Sequence, residues 1–260
     1  MKHNLKVTII LIILFVLAQY IGIFITKSYT SQELPFDIEK PEFEEDTSYI
    51  PITILIIVAT VIALFLARLK AVKIWKMWFF LSIAFCLTLA FGAFMIQWFA
   101  LILALFFASW RTFRDSVILH NFTELFIYGG LAAIFIPVLN VISASVLLII
   151  ISIYDMIAVW KTKHMVSLAK FQAQAKIFAG LVIPYDKNKE AILGGGDIAF
   201  PILFTGPAYF ALGPKALFIP LFVAAALLGL LLLAKKKKFY PAMPFVSIGC
   251  FLGYFIMWLI

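Results

Sequence analysis

Runs of about 20 apolar residues follow one another from one end of the chain to the other, broken by short clusters of lysine, arginine, proline or glycine. A helix needs about that many apolar residues to cross a bilayer, and within hydrocarbon every backbone N–H and C=O must find its partner inside the protein. Few folds satisfy both conditions. Of the 260 residues, 65% are hydrophobic and 13% charged, against roughly half and a quarter in soluble domains. A soluble fold is therefore excluded, and no stretch remains for a separate soluble domain. The expected fold class is an all-α integral membrane protein, one membrane domain over residues 1–260, located in the cell membrane with multiple passes.

Breaking the chain at charges, prolines and glycines gives nine candidate spans, at 5–26, 49–68, 74–91, 94–110, 122–139, 141–160, 191–212, 214–234 and 239–260. Spans one to six thus fill 5–160, a cytoplasmic linker covers 161–190, and spans seven to nine fill 191–260. The first run lacks a small-residue cleavage site and is long enough to span, so it reads as a retained helix. Orientation follows from the excess of basic residues in cytoplasmic loops. With the N-terminus cytoplasmic and the C-terminus outside, 18 of the 21 basic residues fall inside and only Lys27, Lys40 and Lys215 fall outside. The net charge of +8 is then a signal of topology, with anionic lipid as the partner of the basic clusters and no nucleic acid implied. The lysine tract 235–238 reads as a stop against the headgroups. Within the linker, Leu168, Phe171, Ala175 and Phe178 follow helical spacing with Lys163, Lys170 and Gln174 on another face, which suggests a helix lying on the membrane surface.

Cys86 and Cys250 sit in apolar stretches and read as small buried hydrophobes. His3, His120 and His164 lack any ligand spacing, so no metal and no cofactor is expected. Of the 13 acidic residues, seven crowd the first outer loop and Asp115, Glu124, Asp186 and Glu190 fall at or near helix ends. Asp155 and Asp197 remain, each embedded in apolar sequence. A charged group at that depth costs at least ~2.5–3.5 kcal/mol, so such an acid is a functional candidate by default. Asp155 lies six residues before Lys161 on a span running toward the cytoplasm, and Asp197 lies seven residues after Glu190 on the span running back. At 1.5 Å per residue both are roughly 9–10 Å below the same boundary. The acids alone leave catalysis and proton or ion transport equally open, since both use buried carboxyls.

Their neighbours narrow the choice. Gly194, Gly195 and Gly196 directly precede Asp197, and without side chains they let another backbone approach. Pro201 cannot donate to the carbonyl of Asp197, four residues before it. A third element, Pro241-Ala242-Met243-Pro244, opens the last span at a similar level, and its two prolines disrupt helical hydrogen bonding there.

Tyr154-Asp155 on span six, Gly194-Gly195-Gly196-Asp197 on span seven and Pro241-Ala242-Met243 on span nine together resemble the presenilin and signal peptide peptidase family. That family carries Tyr-Asp, Gly-x-Gly-Asp and Pro-Ala-Leu motifs in this order on its sixth, seventh and ninth spans. Met243 departs from the pattern, with volume and polarity close to those of leucine. The short loops are similar to those of compact microbial, archaeal members. The resemblance implies a presenilin-like fold and an intramembrane aspartyl protease of the GxGD type, an aspartic endopeptidase that cuts transmembrane helical substrates with Asp155 and Asp197. It also implies that Gly194 to Gly196 and the Pro241 to Pro244 segment shape the site and bind the unwound substrate strand. Tyr154 is expected to pack or hydrogen-bond beside the site. The competing readings are a prepilin or preflagellin-type peptidase, against which the nine spans and the Pro-Ala-Met-Pro segment argue, and a proton-coupled transporter or nonenzymatic scaffold using the same acids.

The basic-residue bias makes a direct prediction about topology. In intact cells, an impermeant thiol reagent should label a cysteine introduced within 33–46 and leave one within 183–189 unlabelled; the reverse pattern would invert the orientation.

Overall fold

The computed structural model describes residues 5–114, 116–162, 168, 171–172, 177–186, 189–234 and 240–260. The chain is mostly helical, in the order α1 (Leu5–Ser28), α2 (Tyr49–Arg68), α3 (Val72–Gly92), α4 (Gln97–Phe113), α5 (Val117–Phe135) and α6 (Val141–Met156). A two-stranded hairpin follows, β1 (Gly180–Asp186) and β2 (Lys189–Gly194), and then α7 (Gly195–Leu212), α8 (Ile219–Leu233) and α9 (Met243–Leu259). Among the described residues six helical stretches are long and apolar enough to cross a membrane by length and composition. The longest, Gly195–Leu233, contains both α7 and α8, divided by a 3-10 turn over Gly213–Phe218. Gly213 makes that turn possible, because its φ of 66° is one that side-chain-bearing residues rarely adopt. Helices α4 and α9 are apolar but shorter, at 17 residues each.

Local sequence accounts for most boundaries. The Ser116 side chain accepts from the Leu119 N–H and starts α5, five residues before the position 122 expected from hydropathy. Asn140 and Ser143 form a reciprocal capping box at the start of α6. Prolines open α8 and α9 within their first turns, where a missing N–H leaves no bond unmade.

The hairpin corrects the all-α expectation, and with it the seventh span beginning at 191. Residues 189–194 pair antiparallel with 180–186, Gly180 opposite Gly194 and Val182 opposite Ile192. Leu181, Ala191 and Leu193 are buried while Ile192 is 49% exposed, the alternation of a strand with one covered face. A short apolar run ahead of a helix cannot be assigned by periodicity alone, so it reads as part of the following span. Phe178, expected on the surface helix, instead lies outside any helix just before β1. Leu168 and Phe171 pack with Trp75 beside α2 and α3, whereas Lys163, His164, Lys170, Gln174, Ala175 and the 235–238 tract lie outside the described residues, as do His3 and Asp115.

The main core joins α1, α5, α6, α7, α8, α9 and the inner face of the hairpin, with Phe15, Ile198 and Ile202 fully enclosed. A second cluster, built on Ala100, Ala104 and Ala108 against Leu87 and Phe91, joins α3 to α4. Small residues also let α5 approach α3 closely: at Gly130 of α5 an added methyl would collide with the Cys86 backbone carbonyl of α3. By contrast α2 buries only Ile52 and Ala63 and turns Ile54, Leu55, Val58, Val61 and Phe65 outward, as a lipid-facing helix does.

Glu124 also departs from expectation. The early start of α5 places it two turns inside the helix, 1% exposed, where it pairs with Arg111 of α4. Removing one member of such a pair typically costs ~3–5 kcal/mol, because the other is left buried and uncompensated.

Two glycines test this packing in opposite directions. Gly130→Ala should lower the melting temperature by several degrees, since backbone must move to admit the methyl. Gly229→Ala, with open space around it in α8, should be neutral or stabilise by about 0.5–1 kcal/mol. Thermal melts in one detergent compare them directly.

Candidate active site

Tyr154, Asp155, Gly194, Gly195, Gly196, Asp197, Ala242 and Met243 line one cavity of about 690 Å³. Three separate stretches of sequence thus meet, as expected from their matched depth. Pro241 is buried and Pro244 half-buried behind this wall. Ile52, Ile56 and Ala63 of α2 and Trp75 and Trp78 of α3 give the cavity an apolar side.

Asp197 occupies the third position of α7, with Gly194 as the N-cap residue. Its carboxylate turns back to accept from the Gly194 N–H, the side-chain half of a capping box. Asp155 stands one residue before the end of α6, where the chain passes into a π-helical turn over Ile157–Lys161; such turns recur at functional sites. Its Oδ2 accepts from the Met243 N–H at 3.2 Å, and the Ala242 N–H donates to the same carboxylate. Because α9 starts at Met243, these amides have no intrahelical acceptor. Each acid is therefore held at a helix N-terminus, where orphan N–H groups and the helix dipole both favour negative charge. The two carboxylates lie within electrostatic reach of each other.

Neighbouring elements fix these helix ends. The Gln19 side chain, completely buried in α1, donates to the Ile198 carbonyl at 2.9 Å, one residue beyond Asp197. The Ser152 and Ser247 hydroxyls meet at 2.8 Å and tie α6 to α9 just below Asp155. The Gly195 N–H donates to the Ala179 carbonyl at 3.1 Å. From α5, the Asn121 side chain both donates to the Val182 carbonyl (2.7 Å) and accepts from the Val182 N–H (2.9 Å). The His120 Nε2 meets the Gly180 carbonyl at 2.8 Å. The outer edge of β1 is thereby covered by side chains of α5.

Sequence reading missed Gln19, Arg111, Glu124 and Tyr128. Tyr128 lines the same cavity as the two aspartates and donates to Glu124, which also accepts from Arg111. A signal existed for one of them, since Gln19 is a lone amide within an otherwise apolar run. Glu124 was hidden by the late start assigned to its helix. Among the described residues no group of three or more His, Cys, Asp or Glu is placed to hold a metal.

The family described as signal-peptide peptidase, presenilin aspartyl protease matches residues 12–260. A solved structure of a presenilin family intramembrane aspartate protease, in a C222 crystal form, superposes with a TM-score of 0.69 at 20% identity, covering 97% of this chain and 98% of that one. A second such structure, in a P2 crystal form, gives 0.68 at 18% identity with 96% of each chain covered. At these identities the likeness speaks for the fold. Among curated proteins the comparison finds no match.

Proposed function

The chain belongs to the signal-peptide peptidase and presenilin aspartyl protease family, and on that premise we propose that Asp155 and Asp197 are the pair with which it cuts transmembrane helices. It is a multi-pass membrane protein and an intramembrane aspartyl protease by family. The observation that carries the residue assignment is the meeting of the two acids in one cavity, each anchored on a helix N-terminus. The Gly-Gly-Gly-Asp motif at 194–197 supports reading it as the GxGD subtype.

Two adjacent carboxyls in a low-dielectric site share one proton. The ionised member takes a proton from water as its oxygen attacks the scissile carbonyl carbon, and the protonated member gives its proton to the carbonyl oxygen. The tetrahedral diol then collapses: the C–N bond breaks, the amine leaves with the proton that the first carboxyl took from water, and one diol hydroxyl gives its proton to the other carboxylate as the acid product forms, so the dyad is again singly protonated. The pair acts as a unit, so neither role belongs to one residue. No cofactor enters this scheme.

The substrate helix must unwind before water reaches its amides, and the freed strand needs new backbone partners. Supporting such a role, β2 is one edge of a two-stranded sheet and runs directly into Gly194 and α7. Strand addition there would carry the scissile bond past Asp197, with Ala242 and Met243 on the facing wall. Met243→Leu should preserve this wall. We read the architecture as one domain of nine spans, with the N-terminus cytoplasmic and the C-terminus outside. The 18 to 3 division of basic residues and the apolar character of α4 and α9 support that reading.

The test is incubation of purified protein with a single-span substrate and mass determination of the fragments. Asp155→Asn and Asp197→Asn should each reduce cleavage by at least about a thousandfold, and the double mutant should be no worse than either. Both variants should still fold, because an amide is cheaper to hold in this site than an unpaired carboxylate. A hydroxyl-bearing isostere should inhibit, whereas EDTA should have no effect. Near-parental cleavage by either folded single mutant would remove the dyad assignment, and coupled ion flux in liposomes without cleavage would favour a transporter.

A further inference from the structure

We propose that Tyr128 is a positioning residue for Asp197, held in place by the buried Arg111–Glu124 pair, and that this network sets where the first turn of α7 begins. The inference rests on the assignment of Asp197 to the catalytic pair.

Gly195 is gripped from two sides. Its Cα faces the Tyr128 ring so closely that an added Cβ would lie 2.5 Å from Oη, 3.0 Å from Cε1 and 3.1 Å from Cζ. Its N–H donates to the Ala179 carbonyl at 3.1 Å. Both grips lead back to one ion pair. The Tyr128 hydroxyl donates to Glu124 Oε2, and Arg111 Nη2 donates to Glu124 Oε1. The same Nη2 donates to the Phe178 carbonyl at 3.0 Å, one residue before Ala179. Gly195, Tyr128, Glu124, Arg111, Phe178 and Ala179 therefore close a ring of contacts. Arg111 is anchored further by its Nη1 donating to Thr123 Oγ1 at 3.0 Å.

The ring matters because of its place in the chain. Gly194, whose N–H holds the Asp197 carboxylate, immediately precedes Gly195, and Asp197 follows two residues later in the same turn. A shift of Gly195 moves both the acid and its anchor. Tyr128 has its hydroxyl proton committed to Glu124, so it acts through position and not by proton transfer to substrate. A buried ion pair whose purpose was only to join α4 to α5 would have no need of the Phe178 carbonyl or the tyrosine. This one extends to both sides of the glycine that begins the catalytic helix.

Catalysis responds steeply to such displacement, with ~1 Å able to cost a hundredfold, whereas substrate held along a strand edge feels it little. Tyr128→Phe should therefore lower kcat by tenfold or more, on the order of that sensitivity, while KM stays within about twofold and the variant melts cooperatively. Gly195→Ala should lose nearly all activity through collision with the tyrosine hydroxyl. Adding Tyr128→Phe to Gly195→Ala should then raise activity above that of Gly195→Ala alone, a reversal of sign that general destabilisation does not produce. Hydrogen exchange at the Gly195 amide, read on folded protein, should quicken in Tyr128→Phe.

Parental kcat and exchange in Tyr128→Phe would overturn the inference, as would a double mutant worse than Gly195→Ala. If Tyr128→Phe does not melt cooperatively, Glu124→Asp takes its place, since it keeps a negative charge opposite Arg111 while drawing the carboxylate back from the Tyr128 hydroxyl; the same fall in kcat and faster exchange are expected, and parental values overturn the inference. Cleavage by Asp197→Asn in the same assay would instead overturn the dyad assignment on which this rests.

Discussion

Two carboxyl groups brought to one cavity among apolar helices are the constraint around which this chain is arranged. An ionised acid among apolar helices is tolerated only with specific donors. The donors here are backbone amides at the starts of α7 and α9, freed by helix geometry. Such amides carry no titratable proton and cannot swing away as a side chain can. The requirement explains why both helices begin at the level of the acids and why the sequence supplies glycine and proline there. Glycine lets a strand become a helix within one residue, and proline occupies the first turn without losing a bond.

Helix starts in a membrane must be fixed from outside the helix, and the surrounding elements serve that end. Gln19 reaches from α1 to the first turn of α7, and Ser247 of α9 meets Ser152 of α6. The hairpin ends at Gly194, so anything that seats the hairpin also seats Asp197. Asn121 and His120 do so from the same helix that carries Glu124 and Tyr128. The loose fit of α2 against the rest stands in contrast: of its 20 residues only Ile52 and Ala63 are buried.

Much of this was legible from residue order. Apolar runs separated by charge give most helix limits to within a few residues, because hydrocarbon thickness sets span length and loops collect polar groups. The acids and the glycines were found because each is anomalous where it stands, and Ala242 and Met243 through the two prolines that flank them and the motif they resemble; the structure puts them on one cavity. What stayed hidden were features whose meaning depends on partners far along the chain. Glu124 resembles an ordinary helix-end acid until Ser116 is seen to start the helix early. Arg111 resembles a loop cation until Glu124 and Phe178 are beside it. The hairpin was absorbed into a span because six residues of mixed character ahead of a helix have no period long enough to distinguish them.

The covered edge of β1 gives the hairpin a direction. A free two-stranded sheet has two reactive margins, and in a crowded membrane either could recruit another extended chain, then another, as aggregating strands do. Asn121 imitates a peptide group at Val182, donating and accepting where a neighbouring strand would, so that margin is already terminated. In the language of polymer chemistry the sheet has a valence of one. A strand joining at β2 meets a template that can grow on one side only, and the product is a defined adduct instead of the seed of a fibre.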